Sequence, residues 1–409
     1  MRIKDMHAHQ IYDSRGIPTV EVRVELMNGA VGRGSAPSGA STGSYEAFEL
    51  RDGAEAYFGK GVSCAVENVN SIMRPALTGM RADNQQGIDS RLCELDGSEN
   101  KSVLGANAII AASWAIADAA AKGRGMELFR WLGGVQASQM PCPMFNVING
   151  GCHANNNLEI QEFMFVPNGA DTFRDAMRMG TECYQALRRL LVQAQLTAAV
   201  GDEGGFAPNL DSDAQALEWM MRAIEAAGWK AGEDVSLALD AAASEWASDD
   251  GYRMRKSGRH MHRSELIDYF EDLAARFPLV SIEDPLGEED FDGFREITRV
   301  MGKDTMIVGD DLFTTNVRRL GLGIASEAAN AILIKPNQIG TVSETMDTIS
   351  LARKNAYSVI ISHRSGETLS SAVSDLAVAV NAEYIKAGAP ARGERLAKYN
   401  RLMEIEESL

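Results

Sequence analysis

From Thr19 to Leu26 apolar and polar residues alternate strictly, with Val20, Val22, Val24 and Leu26 on one face and Glu21, Arg23 and Glu25 on the other. A period of two with one wet face predicts a half-buried strand. Ala36 to Glu46 reads APSGASTGSYE, too rich in Gly, Ser and Thr to pack a core, and is expected to be a mobile loop. Leu104 to Lys122 is alanine-rich and predicts a helix. Gly133, Gly134 and Pro141 then punctuate the chain, which places a unit boundary there: residues 1–133 form one unit and 134–409 another.

The pattern after that boundary is different. Short apolar runs recur at Val235–Leu239, Leu279–Ile282, Met306–Val308, Ala331–Ile334 and Ser358–Ser362. Helical periodicity fills the gaps: Asp211–Ala227, Arg263–Arg276, Phe291–Met301, Thr341–Asn355 and Ser370–Ala382. Continuous apolar strands alternating with helices predict an α/β fold of parallel strands buried on both faces. The segment approaches the length of a full (β/α)8 barrel, roughly 250 residues.

Each run closes on an ionisable residue: Asp240, Glu283, Asp310, Lys335 and His363. In a parallel barrel the C-terminal strand ends open onto one mouth, so these side chains should converge there. One polar strand end means little, since a strand must end in something polar. Charged ends on every run point to chemistry. Three carboxylates at one rim would repel unless a cation joins them, and all-oxygen ligation suits magnesium. Salt bridges to nearby Lys or Arg are the plainer alternative. A lysine at the end of a buried strand near divalent metal should have its ammonium disfavoured, which would make Lys335 a base.

Other signals are weaker alone. Glu203 lies in the glycine loop Gly201–Gly205, Gln161 and Glu162 open the apolar run Phe163–Val166, and His153 sits in a loop. His363, Arg364 and Ser365 form a plausible cradle for phosphate or carboxylate, with Lys386 as a second cation. The sequence carries no P-loop or dinucleotide fingerprint, and its one G-x-S-x-G stretch, GASTG at 39–43, lies in the Gly/Ser/Thr-rich loop without the strand-to-helix setting of a nucleophile elbow.

At 409 residues two domains are the default. The net charge of −17 argues against nucleic acid as the main partner, but not against a small phosphorylated acid held by local cations. The five cysteines are scattered and odd in number, which fits free thiols and a cytoplasmic location. No apolar leader segment is visible in Met1–Gly16. The most apolar stretch, Val103–Ala121, is interrupted by Asn107, Ser113 and Asp118, so no membrane span is expected.

Taken together, YDSRGIPTVEV, SAPSGASTGSYEAFELRD, FNVINGGCHANNN, VGDEGGFAPN, ALDAAASE, SIEDPLGEEDF, VGDDLFTTN, ILIKPNQIGT, ISHRSGET and IKAGAPARGERLAKYNRL resemble the enolase family, in family order from about Tyr12 to the C-terminus. The resemblance implies a small α+β N-terminal domain on a (β/α)8-type barrel with irregular first units. It implies that Asp240, Glu283 and Asp310 hold one magnesium ion and Ser41 a second, bound with substrate. Lys335 would take the proton α to the substrate carboxylate, and Glu203, assisted by Glu162, would protonate the leaving hydroxide. Lys386 would neutralise the carboxylate, Arg364 and Ser365 would hold the phosphate, and His153, Gln161 and His363 would complete the substrate site. The implied reaction is reversible dehydration of 2-phosphoglycerate to phosphoenolpyruvate by a homodimer or higher homo-oligomer.

Departures from the family pattern include Ile17, Asn155, Leu369 and Ser370, with His9 and Glu404 at the usual subunit contact. The last change would set Glu404 against Glu21, a repulsive pair. These positions keep open a paralogue acting on a phosphonate or related phosphorylated analogue. A non-catalytic binding protein is a third reading, disfavoured by a complete set of acids and a base.

Overall fold

The computed structural model describes residues 1–40 and 42–409, so the expectation for Ser41 lies outside the described residues. Its first sheet is antiparallel: β1 (Ile3–Tyr12), β2 (Pro18–Leu26) and β3 (Val31–Ser35), in that order. Val20, Val22, Val24 and Leu26 are fully buried, as the alternation requires. Their face is covered by the helix Ala106–Gly123, an almost wholly buried alanine-rich rod. Gly32 and Gly34 let that helix approach closely. A Cβ on Gly32 would fall 2.2 Å from Ala115 O, and one on Gly34 2.3 Å from Ala111 O.

Eight strands close the barrel: β4 (Cys142–Asn149), β5 (Glu162–Val166), β6 (Ser236–Asp240), β10 (Leu279–Glu283), β11 (Met306–Gly309), β12 (Ala331–Ile334), β13 (Ser358–Ser362) and β14 (Tyr384–Lys386), with β14 pairing back to β4. Between β6 and β10 the short strands β7 (Ala247–Ser248), β8 (Gly251–Arg253) and β9 (His260–Met261) form a separate small sheet. Successive residues of β12 face opposite ways. Ala331 and Leu333 join Met144, Met164, Val166, Ala238, Val308 and Ile360 in a plug inside the barrel, while Ile332 and Ile334 pack outward. Burial on both faces explains the unbroken apolar runs.

One strand corrects the all-parallel expectation. β5 runs antiparallel to both β4 and β6. The β4–β5 connection contains only the single turn Gly151–His153 and no helix of the kind that usually carries a parallel return. The two helices that belong to this part of the barrel, Phe173–Gln193 and Asp213–Ala226, both follow β5 instead. Reversal has a functional consequence: the first residue of β5, Glu162, lies at the same mouth as the last residues of its neighbours and pairs in register with Asp240.

The five cysteines are free thiols. Among the described residues no helix is long and apolar enough to cross a membrane. Glu21 is held within its own chain by Arg33 at 2.7 Å and His9 at 3.5 Å, and Glu404 lies 3.5 Å from Arg401, so each acid has its own cation.

Candidate active site

The mouth of the barrel gathers the strand-end residues. Asp240 closes β6, Glu283 closes β10, and Lys386 closes β14. Asp310, Lys335 and His363 follow β11, β12 and β13 directly. His153, Gln161, Glu162, Glu203, Asp240, Asp310, Lys335, His363, Arg364, Ser365 and Lys386 all line one small cavity of about 20 Å³. Glu283 sits at its floor, in contact with Lys386. The cavity is small because its charged side chains pair with one another.

That pairing has two centres. The Lys386 ammonium lies 3.0 Å from Asp240 Oδ2, 2.8 Å from Glu283 Oε2 and 3.1 Å from Glu162 Oε2. Burial opposes its charge, but these carboxylates outweigh burial and hold its pKa well above the usual lysine value. The second centre is Lys335, which donates to Asp310 Oδ2. Burial pulls the Lys335 pKa down, but the Asp310 carboxylate outweighs it and the pKa is raised. With Asp310 as its partner and no metal beside it, the ammonium form of Lys335 is favoured; the expected loss of that charge was tied to a neighbouring divalent cation.

The three carboxylates expected to share one cation thus face two ammonium groups: Asp240 and Glu283 share Lys386, and Asp310 takes Lys335. A tighter acidic group, overlooked in the sequence, is Asp284, Asp310 and Asp311, whose oxygens lie within 4.8 Å of one another. Asp284 adopts φ 40° and accepts from the backbone N–H of Asp310 at 3.0 Å and Asp311 at 2.8 Å, which ties the ends of β10 and β11 together. Burial, then Asp310, push the Asp311 carboxyl up to about 8. Burial and Asp240 push Glu283 well above its usual range. Buried acids that crowd this closely call for a divalent cation, and an all-carboxylate donor set fits magnesium. The signal was present as the doubled acids of SIEDP and VGDDL, in which only the first of each pair was weighed.

On the opposite wall, Glu162 and Glu203 form a second pair beside His153, whose Nδ1 lies 3.5 Å from Glu162 Oε1 and 3.9 Å from Glu203 Oε1. The two carboxyls are pushed apart. Burial and the neighbouring Glu203 charge raise Glu162 well above its usual range. Burial also opposes ionisation of Glu203, but His363 and His153 outweigh it and hold Glu203 low. Glu203 accepts from Ser365 Oγ at 2.9 Å and Asn146 Nδ2 at 3.0 Å. The surroundings of the pair thus favour charge on Glu203 over charge on Glu162.

Both family comparisons agree with this architecture. Residues 3–132 match the family described as Enolase, N-terminal domain, and residues 137–409 match Enolase, C-terminal TIM barrel domain. The chain belongs to the enolase family. Members of the enolase superfamily bind Mg2+, and the acidic groups at this mouth could hold a metal. The match points to a lyase-type reaction.

The N-terminal domain of this enolase-family chain completes the site. Ser38 pairs with Gly366 through reciprocal backbone hydrogen bonds of 2.8 and 2.9 Å. Glu46 binds Arg364 in a bidentate grip, with Nη1 2.9 Å from Oε2 and Nη2 3.1 Å from Oε1. Glu46 also escaped notice in the sequence. It places a carboxylate on the guanidinium expected to hold a phosphate, so an anionic ligand must share or displace it.

Proposed function

We propose that this chain catalyses the magnesium-dependent, reversible dehydration of 2-phosphoglycerate to phosphoenolpyruvate. The observation that carries the reading is a lysine–carboxylate pair, Lys335 and Asp310, lining one cavity with a glutamate pair, Glu162 and Glu203, whose surroundings push the two carboxyls in opposite directions. A dehydration needs both halves: a base for the carbon-bound proton and an acid for the departing hydroxide.

Asp240, Glu283 and Asp310 would hold the first magnesium ion, with Asp284 and Asp311 behind Asp310, and Ser41 would serve a second. Bound there, magnesium supplies Lewis-acid stabilisation of the negative charge that grows on the substrate carboxylate. Lys335, released from Asp310, takes the proton α to the carboxylate. The Glu162–Glu203 pair delivers a proton to the leaving hydroxide, which departs as water. Lys386 pairs with the substrate carboxylate. Arg364, Ser365, His153 and His363 hold the phosphate end, and Gln161 lines the same cavity. The free thiols fit a cytoplasmic setting, and Gly133–Gly134 serves as the boundary between the two units.

A coupled absorbance assay with 2-phosphoglycerate is expected to show turnover with magnesium, loss of turnover on chelation, and recovery on adding magnesium back. Folded protein with no turnover under these conditions would sink the reading. One observation supports the alternative of a modified substrate. A cavity of about 410 Å³, walled by Cys152, Asn155, Trp246, Arg255 and Lys256, shares Gln161 and Ala242 with the catalytic cavity. Faster turnover of a phosphonate or otherwise extended analogue than of 2-phosphoglycerate would favour that reading.

We also propose that the chain self-associates. Tyr12 and Tyr57 meet edge to face on the surface, and Phe58 beside them is fully exposed. Fully exposed aromatic side chains are a feature of interfaces. Light scattering should give the mass of a dimer or higher oligomer, and Phe58→Asp should shift it toward the monomer. A monomeric wild-type protein at micromolar concentration would refute this.

A further inference from the structure

Arg395 lies in the C-terminal helix Gly393–Ser408 yet is completely buried beneath the mouth. Its Nη1 lies 2.6 Å from His363 Nδ1 and 2.6 Å from the carbonyl oxygen of Arg364. Its Nη2 lies 3.1 Å from the carbonyl oxygen of Asp202 and 2.5 Å from that of Ser365. One guanidinium therefore clamps the loop that carries Glu203 to the loop that carries His363, Arg364 and Ser365. Gly388 makes room for it, since a Cβ there would fall 2.9 Å from Arg395 Cδ.

A guanidinium has only donors and stays charged. His363 Nδ1 must therefore be the acceptor, and a neutral ring then carries its proton on Nε2. Nε2 faces Glu203 Oε2 at 3.4 Å. We propose that Arg395 is a positioning residue that fixes the tautomer of His363, so that the protonated nitrogen is Nε2, the one on the Glu203 side of the ring. The consequence for turnover rests on the lyase reading above; the tautomer itself does not.

Ser365 Oγ–H and Asn146 Nδ2–H donate to Glu203, and His363 Nε2 lies 3.4 Å from it; donors around a carboxylate favour its ionised form. The opposite tautomer would turn a ring lone pair toward that carboxylate and remove one of these favourable neighbours. Burial pushes the His363 pKa down to about 4, in keeping with a neutral ring.

Nitrogen-15 NMR of histidine-labelled protein at pH 7, with the His363 signals identified by their loss in His363→Gln, tests the tautomer directly. The expected spectrum shows Nδ1 without a proton and Nε2 with one. A protonated Nδ1 in the wild type overturns the proposal, whether or not any variant folds. Arg395→Met should lose the fixed tautomer and lower kcat about a hundredfold at little-changed KM. Arg395→Lys keeps a donor at Nδ1, and should preserve the tautomer and recover at least about tenfold of that loss. Equal impairment of both variants with the tautomer intact would mean that Arg395 only holds the loops together. Should the tautomer appear as expected in a protein that does not turn over 2-phosphoglycerate, the lyase reading fails and the tautomer assignment stands.

Discussion

Lys335→Ala should abolish exchange of the substrate hydrogen α to the carboxylate with solvent deuterium, a loss of about 10²–10⁴-fold or more, because no other base at the mouth can replace it. The amine sits where β12 ends, at the rim of the cavity and in contact with Asp310. Burial and Glu203 disfavour charge on Glu162, and Lys386 is enclosed by carboxylates. In the resting structure Asp310 keeps Lys335 charged, so the exchange step is also expected to need a divalent cation that draws Asp310 away. Removing the lysine frees Asp310, and magnesium should bind the variant at least as well as the wild type. Proton NMR of 2-phosphoglycerate in deuterium oxide measures the exchange, and calorimetry measures the metal. Exchange that persists in the variant would show that another group is the base.

Lys386→Met should cost at most about 3–5 kcal/mol of stability in magnesium-free buffer, because it takes the shared cation from the buried Asp240 and Glu283, and the cost falls to the extent that these acids take up protons instead. All of these carboxylates are at most 4% exposed, so water cannot take over the role of the ammonium. Magnesium should restore part of the loss, about 2.7 kcal/mol at a hundred times its dissociation constant. It should not restore turnover, since the partner of the substrate carboxylate is gone. Chemical denaturation with and without magnesium provides the comparison. A variant as stable as the wild type, or one that magnesium leaves unchanged, would mean that these acids do not need a cation.

Both predictions start from strand ends, and the strand ends were legible early. Ala331–Ile334 and Ser358–Ser362 appear in the structure with the bounds that their apolar runs indicated, and the helices Arg263–Arg276 and Phe291–Met301 likewise. A strand buried on both faces has to be apolar throughout, so its limits are written in the chain. The direction of β5 was not written there. Phe163–Val166 is equally apolar in a parallel or an antiparallel neighbour, so the run itself does not carry its direction.

The residue types of the site were likewise visible, but not their partners. Asp240, Glu283, Asp310, Lys335 and His363 each stand out as an ionisable strand end, and Lys386 as a further cation. That Lys386 would settle among three acids, and that Asp310 would hold Lys335 as an ammonium, depends on distances of about 3 Å across the barrel. Glu46 lies far from the barrel strands in sequence, and Arg395 lies in the helix that follows the last of them. They reach the site only because the N-terminal loop and the C-terminal helix fold over it.

The sequence by itself determined the barrel, its N-terminal companion and the inventory of acids, lysines and histidines at the mouth. Hydrophobic periodicity is a local property, and strand ends in a barrel share one destination. The tertiary structure alone decided which charges neutralise one another, which of two glutamates is the more readily charged, and which distant side chains hold the ring of His363. Electrostatic states in a buried site depend on separations between residues hundreds of positions apart, and those separations exist only once the chain has closed on itself.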